Sequence, residues 1–397
     1  MVACRQAPRY NGAGMTSASQ KPTEIRALLG VRAFPPLVLV MFHFSEGHGY
    51  RHFWPLDYVA ARGYLWVEFF FCLSGFILTH VYHARRAQLF TGRGYRAFLR
   101  ARLIRLYPLH LVMLGMVLLT AIVTRYLAAI GHYTSIFDLT YHTVITPISF
   151  VLNLLLIQAW NTQPSLTWNG VAWFVSVEWA LCLLFPVFLF LSRGPLWRGL
   201  ALIAAGIAGL TALDLTSAHG LDITFHNGVL RGLSDFSVGV GLAMFYRAFK
   251  SHDRLPDWAH SLIQLAVVFA LFTAIYNTGW AHTRMDIFTV LPMMALVLAL
   301  AFDRGIVADA LKTRIPQILG GWSYAIYIGQ TFGLLIIRVF EQRVYPPPMT
   351  PVLGTTFISL SWWLEPLLLV IFCIGWGAAM ATFIEHPAAR KLKRIFG

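Results

Sequence analysis

The sequence predicts an all-α, polytopic membrane helix bundle, and three observations carry that expectation. Of 397 residues, 57% are hydrophobic and only 12% charged, about half the charged share of a soluble domain. The apolar residues come in runs of about twenty, the length that crosses a bilayer. Those runs are rich in Leu, Phe and Ala, are broken by Gly and Pro, and lack the ten-residue alternation of a barrel.

Taken in order, spans are expected near 27–44, 64–82, 106–129, 171–192, 199–215, 229–247, 261–279, 286–302, 317–338 and 360–384. An eleventh run, 147–160 ("PISFVLNLLLIQAW"), is short and contains Asn153, so it reads as re-entrant or interfacial. The charges support about ten spans with both termini cytoplasmic. On that topology 23 of the 31 Lys and Arg lie inside, and only Arg51, Arg62, Arg284 and Arg343 lie in outer loops. Such asymmetry is the positive-inside rule. The same rule accounts for the net charge of +14 without nucleic acid.

Residues 1–22 lack the apolar core of a signal peptide and read as a disordered cytoplasmic tail. A single transmembrane domain follows over 23–389, then a basic cytoplasmic tail, 390–397. No soluble domain or repeat stands out. The four cysteines have no disulfide or metal-site spacing, and no metal is expected.

Ionisable groups within the spans are the candidates for function, because hydrocarbon makes them costly. Arg32 and His43 stand eleven residues apart in the first run. Eleven steps of an ideal helix put them on one face about 16 Å apart. Pro35 and Pro36 favour a helix start near Phe34, with Arg32 just before it. A snorkelling arginine and an interfacial histidine would have the same pattern.

Glu68 lies in an aromatic wall, "GYLWVEFFFCLSGF", where Ser74-Gly75 would also allow close helix packing. Seven arginines without a lysine or acid fill 84–105 and suit phosphate oxygens, or an anionic lipid surface. Glu178 follows Trp173 and Ser176 in "WFVSVEWALCLLFP" and needs a partner from another helix, with His43, Arg32 and Arg231 as candidates. Arg231 and Asp235 stand at i,i+4, the spacing of a self-satisfying pair.

These segments, in order, resemble the acyltransferase 3 family, membrane-bound O-acyltransferases that modify bacterial cell-surface polysaccharides. Arg32 and His43 match its arginine, ten residues, histidine pattern. "GYLWVEFFFCLSGF", ending on Ser74-Gly75-Phe76, is similar to its aromatic block. "RARLIRLYPLH" resembles its basic segment through Arg102, Arg105 and Pro108. "WFVSVEWALCLLFP" resembles its tryptophan–serine–glutamate block, and "RGLSDFSVGVGLA", "GGWSYAIYIGQ" with Tyr324, and "FIEHP" correspond to later marks. The chain departs at Glu68 and Leu29, where aspartates are common, at Gln330, where a histidine is frequent, and at Pro35-Pro36.

The resemblance implies a multi-pass enzyme of the inner (plasma) membrane with no permanently bound cofactor. Its donor would be acyl-coenzyme A from the cytosol, usually acetyl-CoA, and its acceptor a hydroxyl of a surface or lipid-linked saccharide. His43 would be the general base, since imidazole is suited to taking a hydroxyl proton near neutral pH. Glu68 or Glu178 would orient it, and Arg32, Arg102 and Arg105 would bind the donor's phosphates. Ser74, Trp173, Ser176, Tyr324 and Gln330 are substrate or structural positions. A secondary transporter or acyl-group translocator is the competing class, distinguished by uptake without covalent change. A haem protein is disfavoured because many of the fourteen histidines fall in outer loops.

Overall fold

The computed structural model describes residues 24–48, 57–131, 144–281, 285–344 and 357–396, which are helical and without strands. The 1–22 tail, Arg51 and Arg284 lie outside them. Among the described residues, eight helical stretches are long and apolar enough to cross a membrane, and Ile287–Ala301 is a shorter apolar helix. All ten expected spans coincide with helices.

The first run divides into α1 (Arg26–Val31) and α2 (Phe34–His48). Pro35 and Pro36 occupy the first turn of α2, where a missing N–H breaks no helical bond. Next come α3 (Asp57–Ala61), α4 (Trp66–Tyr82), α5 (Arg86–Leu89) and the 39-residue α6 (Gly92–Ile130). Thr91 caps α6 by accepting from Gly94 N at 3.0 Å, so the arginine-rich segment joins the span that follows it as one rod.

The eleventh run contains α7 (Pro147–Leu154), eight residues long. At 1.5 Å per residue this rises about 12 Å, too little to cross. Leu156 then turns the chain with φ 57°. Buried side chains hold the segment in place. His110 Nε2 donates to Asn153 O at 2.9 Å, and Tyr107 Oη donates to Leu154 O at 2.8 Å. Ser176 Oγ donates to Leu156 O at 2.9 Å and accepts from Ala159 N at 3.2 Å. Irregular backbone within a bundle needs such partners.

The remaining helices are α8 (Trp173–Leu191), α9 (Leu196–Thr216), α10 (Gly228–Lys250), α11 (Asp257–Ala281), α12 (Ile287–Ala301), α13 (Ile306–Leu311), α14 (Arg314–Val344), α15 (Phe357–Met380) and α16 (His386–Phe396). Helix α10 lies between α4 and α9 in backbone contact with both. A Cβ on Gly239 would stand 1.9 Å from Cys72 O, and one on Gly75 2.3 Å from Phe236 O. Towards α9, a Cβ on Gly206 would meet Ser234 O at 2.4 Å. Small residues provide this close approach where both helices face a bilayer.

Connections sort the bundle into two ends. At one, Ala27 N donates to Asp303 Oδ1 at 2.8 Å, Arg247 Nη2 to Ser192 O at 3.3 Å, and Arg100 to Phe396 O. Arg193 lies 5.2 Å over Phe90. At the other end Asp286 accepts from Arg62 Nη1, Tyr64 Oη and Leu221 N, each at 2.8 Å. Asn227 N donates to Asn161 Oδ1 there at 2.7 Å. This division matches the grouping of the basic loops by charge.

Gly239→Ala should overpack the α4–α10 seam and destabilise the protein by about 1–3 kcal/mol, read as a lower thermal midpoint in detergent. An unchanged midpoint would show that the seam yields.

Candidate active site

His43 lies on the last two turns of α2. Its Nδ1 is 3.0 Å from Glu46 Oε2, with side-chain exposures of 25% and 45%. The i,i+3 spacing brings both onto one helix face. With Glu46 accepting from Nδ1, the neutral ring keeps its lone pair on Nε2. The neighbouring Phe42 ring packs 5.6 Å from Tyr64. Asp222 lies close enough to feel Arg231, Glu46 and His43. Burial raises its carboxyl above the usual range, against the pull of Arg231.

The expected orienting acids go elsewhere. Glu68, fully buried, receives Arg231 Nε at 3.0 Å on each oxygen and Arg231 Nη2 at 2.6 Å on Oε2. Arg231 also donates to Ile223 O at 2.6 Å and Tyr64 O at 3.0 Å, and its guanidinium lies 5.3 Å from the Trp173 ring. The expected Arg231–Asp235 pair is thereby corrected. The fork reaches across to α4, and both oxygens of buried Asp235 lack a hydrogen-bond partner. A bidentate carboxylate on a neighbouring helix satisfies more N–H groups than an acid one turn along the same helix.

Glu178 joins the opposite end. Arg32, at the α1–α2 joint, lies within electrostatic reach of Arg105, Glu178, Glu385 and Arg102. Tyr324, whose hydroxyl donates to Leu106 O at 2.6 Å, feels Glu178, Glu385 and Arg105. No ion pair within 4 Å joins these charges among the described residues. Arg102 stacks 5.8 Å over Phe98, and its buried Nε has no hydrogen-bond partner. Glu385 Oε2 is likewise buried and unpartnered. Three guanidiniums against two carboxylates leave the cluster net positive and suited to an anion.

Of the other expected positions, Ser176 braces the turn at 156–159 and Gln330 Nε2 donates to Tyr327 O at 3.0 Å. Ser74 sits half-buried beside Gly75 at the α4–α10 seam. Sequence reasoning missed Glu46 and Glu385. The first was signalled by its i,i+3 spacing from His43, the second only by an acid at the end of an apolar run.

The family model described as an acyltransferase domain matches residues 26–395. The chain belongs to the acyltransferase 3 family. This acyltransferase is 25% identical over 392 residues to "Acyltransferase MdmB" of Streptomyces mycarofaciens, covering 93% of the chain and 92% of that protein. It is 36% identical over 168 residues to "Protein 2 in picA locus" of Rhizobium radiobacter, covering 41% and 78% respectively. No solved structure matches the acyltransferase significantly.

Glu68→Ala leaves a buried guanidinium unpaired and should cost about 3–5 kcal/mol. The measurement is equilibrium unfolding in detergent, with a loss below 1 kcal/mol contradicting the anchoring role.

Proposed function

We propose that the protein moves an acyl group, in the simplest case acetyl, from acyl-coenzyme A to a hydroxyl of a cell-surface or lipid-linked saccharide. The observation that carries this reading is the pairing of two sites along the first apolar run, one at the α1–α2 joint and one near the end of α2. A net-positive cluster with one unsatisfied donor, Arg102 Nε, lies at the arginine-rich end, and a carboxylate-held imidazole lies near the far end of α2. The positive-inside rule makes the arginine-rich end cytosolic in the inner membrane.

The donor's phosphates sit on Arg32, Arg102 and Arg105, and its arm runs along α2 towards His43. The acceptor hydroxyl approaches from the opposite end. His43 Nε2 takes the hydroxyl proton as oxygen attacks the thioester carbon. The carbon–oxygen bond forms, the carbon–sulfur bond breaks, and the imidazolium returns the proton to the departing thiolate. Glu46 holds the reactive tautomer and stabilises the imidazolium. Glu178, in the same cluster, keeps Arg32 turned towards the arm.

His43→Ala should lower kcat by about 10²–10⁴-fold in a reconstituted assay, with the acyl group followed by mass spectrometry of surface glycans and glycolipids. Wild-type turnover would remove the base assignment. Arg105→Ala should chiefly raise KM for acyl-coenzyme A, and unchanged donor kinetics would reject the phosphate role.

A further inference from the structure

A second group of cations lies at the cytosolic end, apart from Arg32, Arg102 and Arg105, and a closed circuit of contacts surrounds it. Arg86 Nη1 donates to His83 Nε2 at 2.9 Å and to His83 O at 3.2 Å, tying α5 to the end of α4. Arg247 Nη2 donates to Ser192 O at 3.3 Å, tying α10 to the end of α8. The next residue, Arg193, lies 5.2 Å over the Phe90 ring, and Phe90 N donates to Arg86 O at 3.2 Å.

The register of α4 and α10 closes the remaining side. The two helices run parallel. Arg231 meets Glu68 at 2.6 Å, a Cβ on Gly75 would stand 2.3 Å from Phe236 O, and the His80 and Tyr246 rings lie 5.6 Å apart. His83 comes about one turn after His80, and Arg247 directly follows Tyr246. The two side chains therefore face one another across the seam, and Arg247 and Arg86 both act on His83.

Charges of one sign converge here. Neither α4 beyond Glu68, α5, α6, α8 beyond Glu178 nor α10 beyond Asp235 carries an Asp or Glu. Among the described residues Arg86, Arg193 and Arg247 form no ion pair. A snorkelling arginine turns its head to water. Arg247 instead buries Nη1, which has no hydrogen-bond partner. His83 supplies a second such donor. An arginine only donates, so Nε2 accepts from Arg86 and the neutral ring carries its proton on Nδ1. Burial, with Arg247 and Arg86, pushes the His83 pKa down to about 4, so the ring is neutral at cytosolic pH. Its Nδ1 is buried and unpartnered as well.

Two buried donors on facing helices thus lack acceptors, beside guanidiniums that lack a counter-charge. A phosphate supplies acceptor oxygens and negative charge together. We propose that His83, Arg86, Arg193 and Arg247 form a second phosphate-binding site. Phe98 divides it from the first, since Tyr82, beside His83, packs 5.0 Å from Phe98 and Arg102 lies 5.8 Å over the same ring. The phosphate comes either from the donor, whose ribose 3′-phosphate is separate from its pyrophosphate, or from an anionic lipid of the cytosolic leaflet. The first source rests on the functional reading above and the second does not.

The test uses the purified full chain in nanodiscs, with acetyl-CoA and its 3′-dephospho form as donors and Arg86→Gln and Arg247→Gln as variants. Loss of a charge-assisted hydrogen bond costs about tenfold or more. If the donor fills the site, the wild type in phosphatidylcholine discs has a KM higher by that factor for the dephospho form. Each variant then raises KM for acetyl-CoA to that level and loses the preference, while Arg105→Ala raises both values and keeps it. If a lipid fills the site, the wild type treats the donors alike and, after delipidation, retains more phosphatidylglycerol than the variants by the same factor, counted by mass spectrometry.

Variants that leave both donor preference and lipid retention at the wild-type level would overturn the proposal. Arg86 stands outside the spans, so Arg86→Gln reads the site even where Arg247→Gln impairs folding. Absence of acetyl-CoA binding to the wild type would overturn the functional reading, and lipid retention would still decide this one.

Discussion

A guanidinium inside a helix bundle must have all its N–H groups met, since no water is there to do it. Arg231 sets the architecture of its end of the bundle through that requirement. Its contacts tie the first turn of α10 to Glu68 on α4, to the backbone at Tyr64, to the loop at Ile223 and to the ring of Trp173. The same loop carries Asp222 to the neighbourhood of His43. Among the described residues the candidate base hydrogen-bonds to Glu46, and its neighbour Phe42 packs on Tyr64, whose carbonyl Arg231 holds.

The two ends are built on different terms. Around Arg231 and Asp286 the ion pairs are close and hydrogen-bonded, with buried Asp235 the exception. Around Arg32 they repel or attract at a distance and keep buried atoms unsatisfied. That contrast separates framework from binding site better than burial does, because Glu68 is more deeply buried than Glu385.

The helices were legible because a twenty-residue apolar run has few alternatives in a bilayer. The break before Phe34 was legible because proline constrains its own helix. The short excursion of 147–160 showed through its length and Asn153. Partners across helices were much less so. Arg231 and Asp235 have the spacing of a local pair, yet a carboxylate 163 residues away in sequence gives the better fork. Nothing in sequence spacing reports that distance. Glu178 reads as needing an outside partner, but two arginines and a histidine, Arg32, Arg231 and His43, fit equally well on paper. Glu46 was available from sequence and was overlooked in favour of acids deeper in the spans. Glu385 stood in the quoted segment "FIEHP" without being singled out as a charge.

The glycine seams on either side of α10 have a consequence for how substrates get in. Where main chain lies on main chain, neither rod can slide without its carbonyls colliding with the other's backbone. The slab formed by α4, α10 and α9 therefore behaves as a fixed wall during turnover. Any movement that opens the bundle is left to the elements packed against that wall. The interrupted segment α1–α2 is the natural hinge, since its two pieces are joined by a turn instead of a continuous ladder.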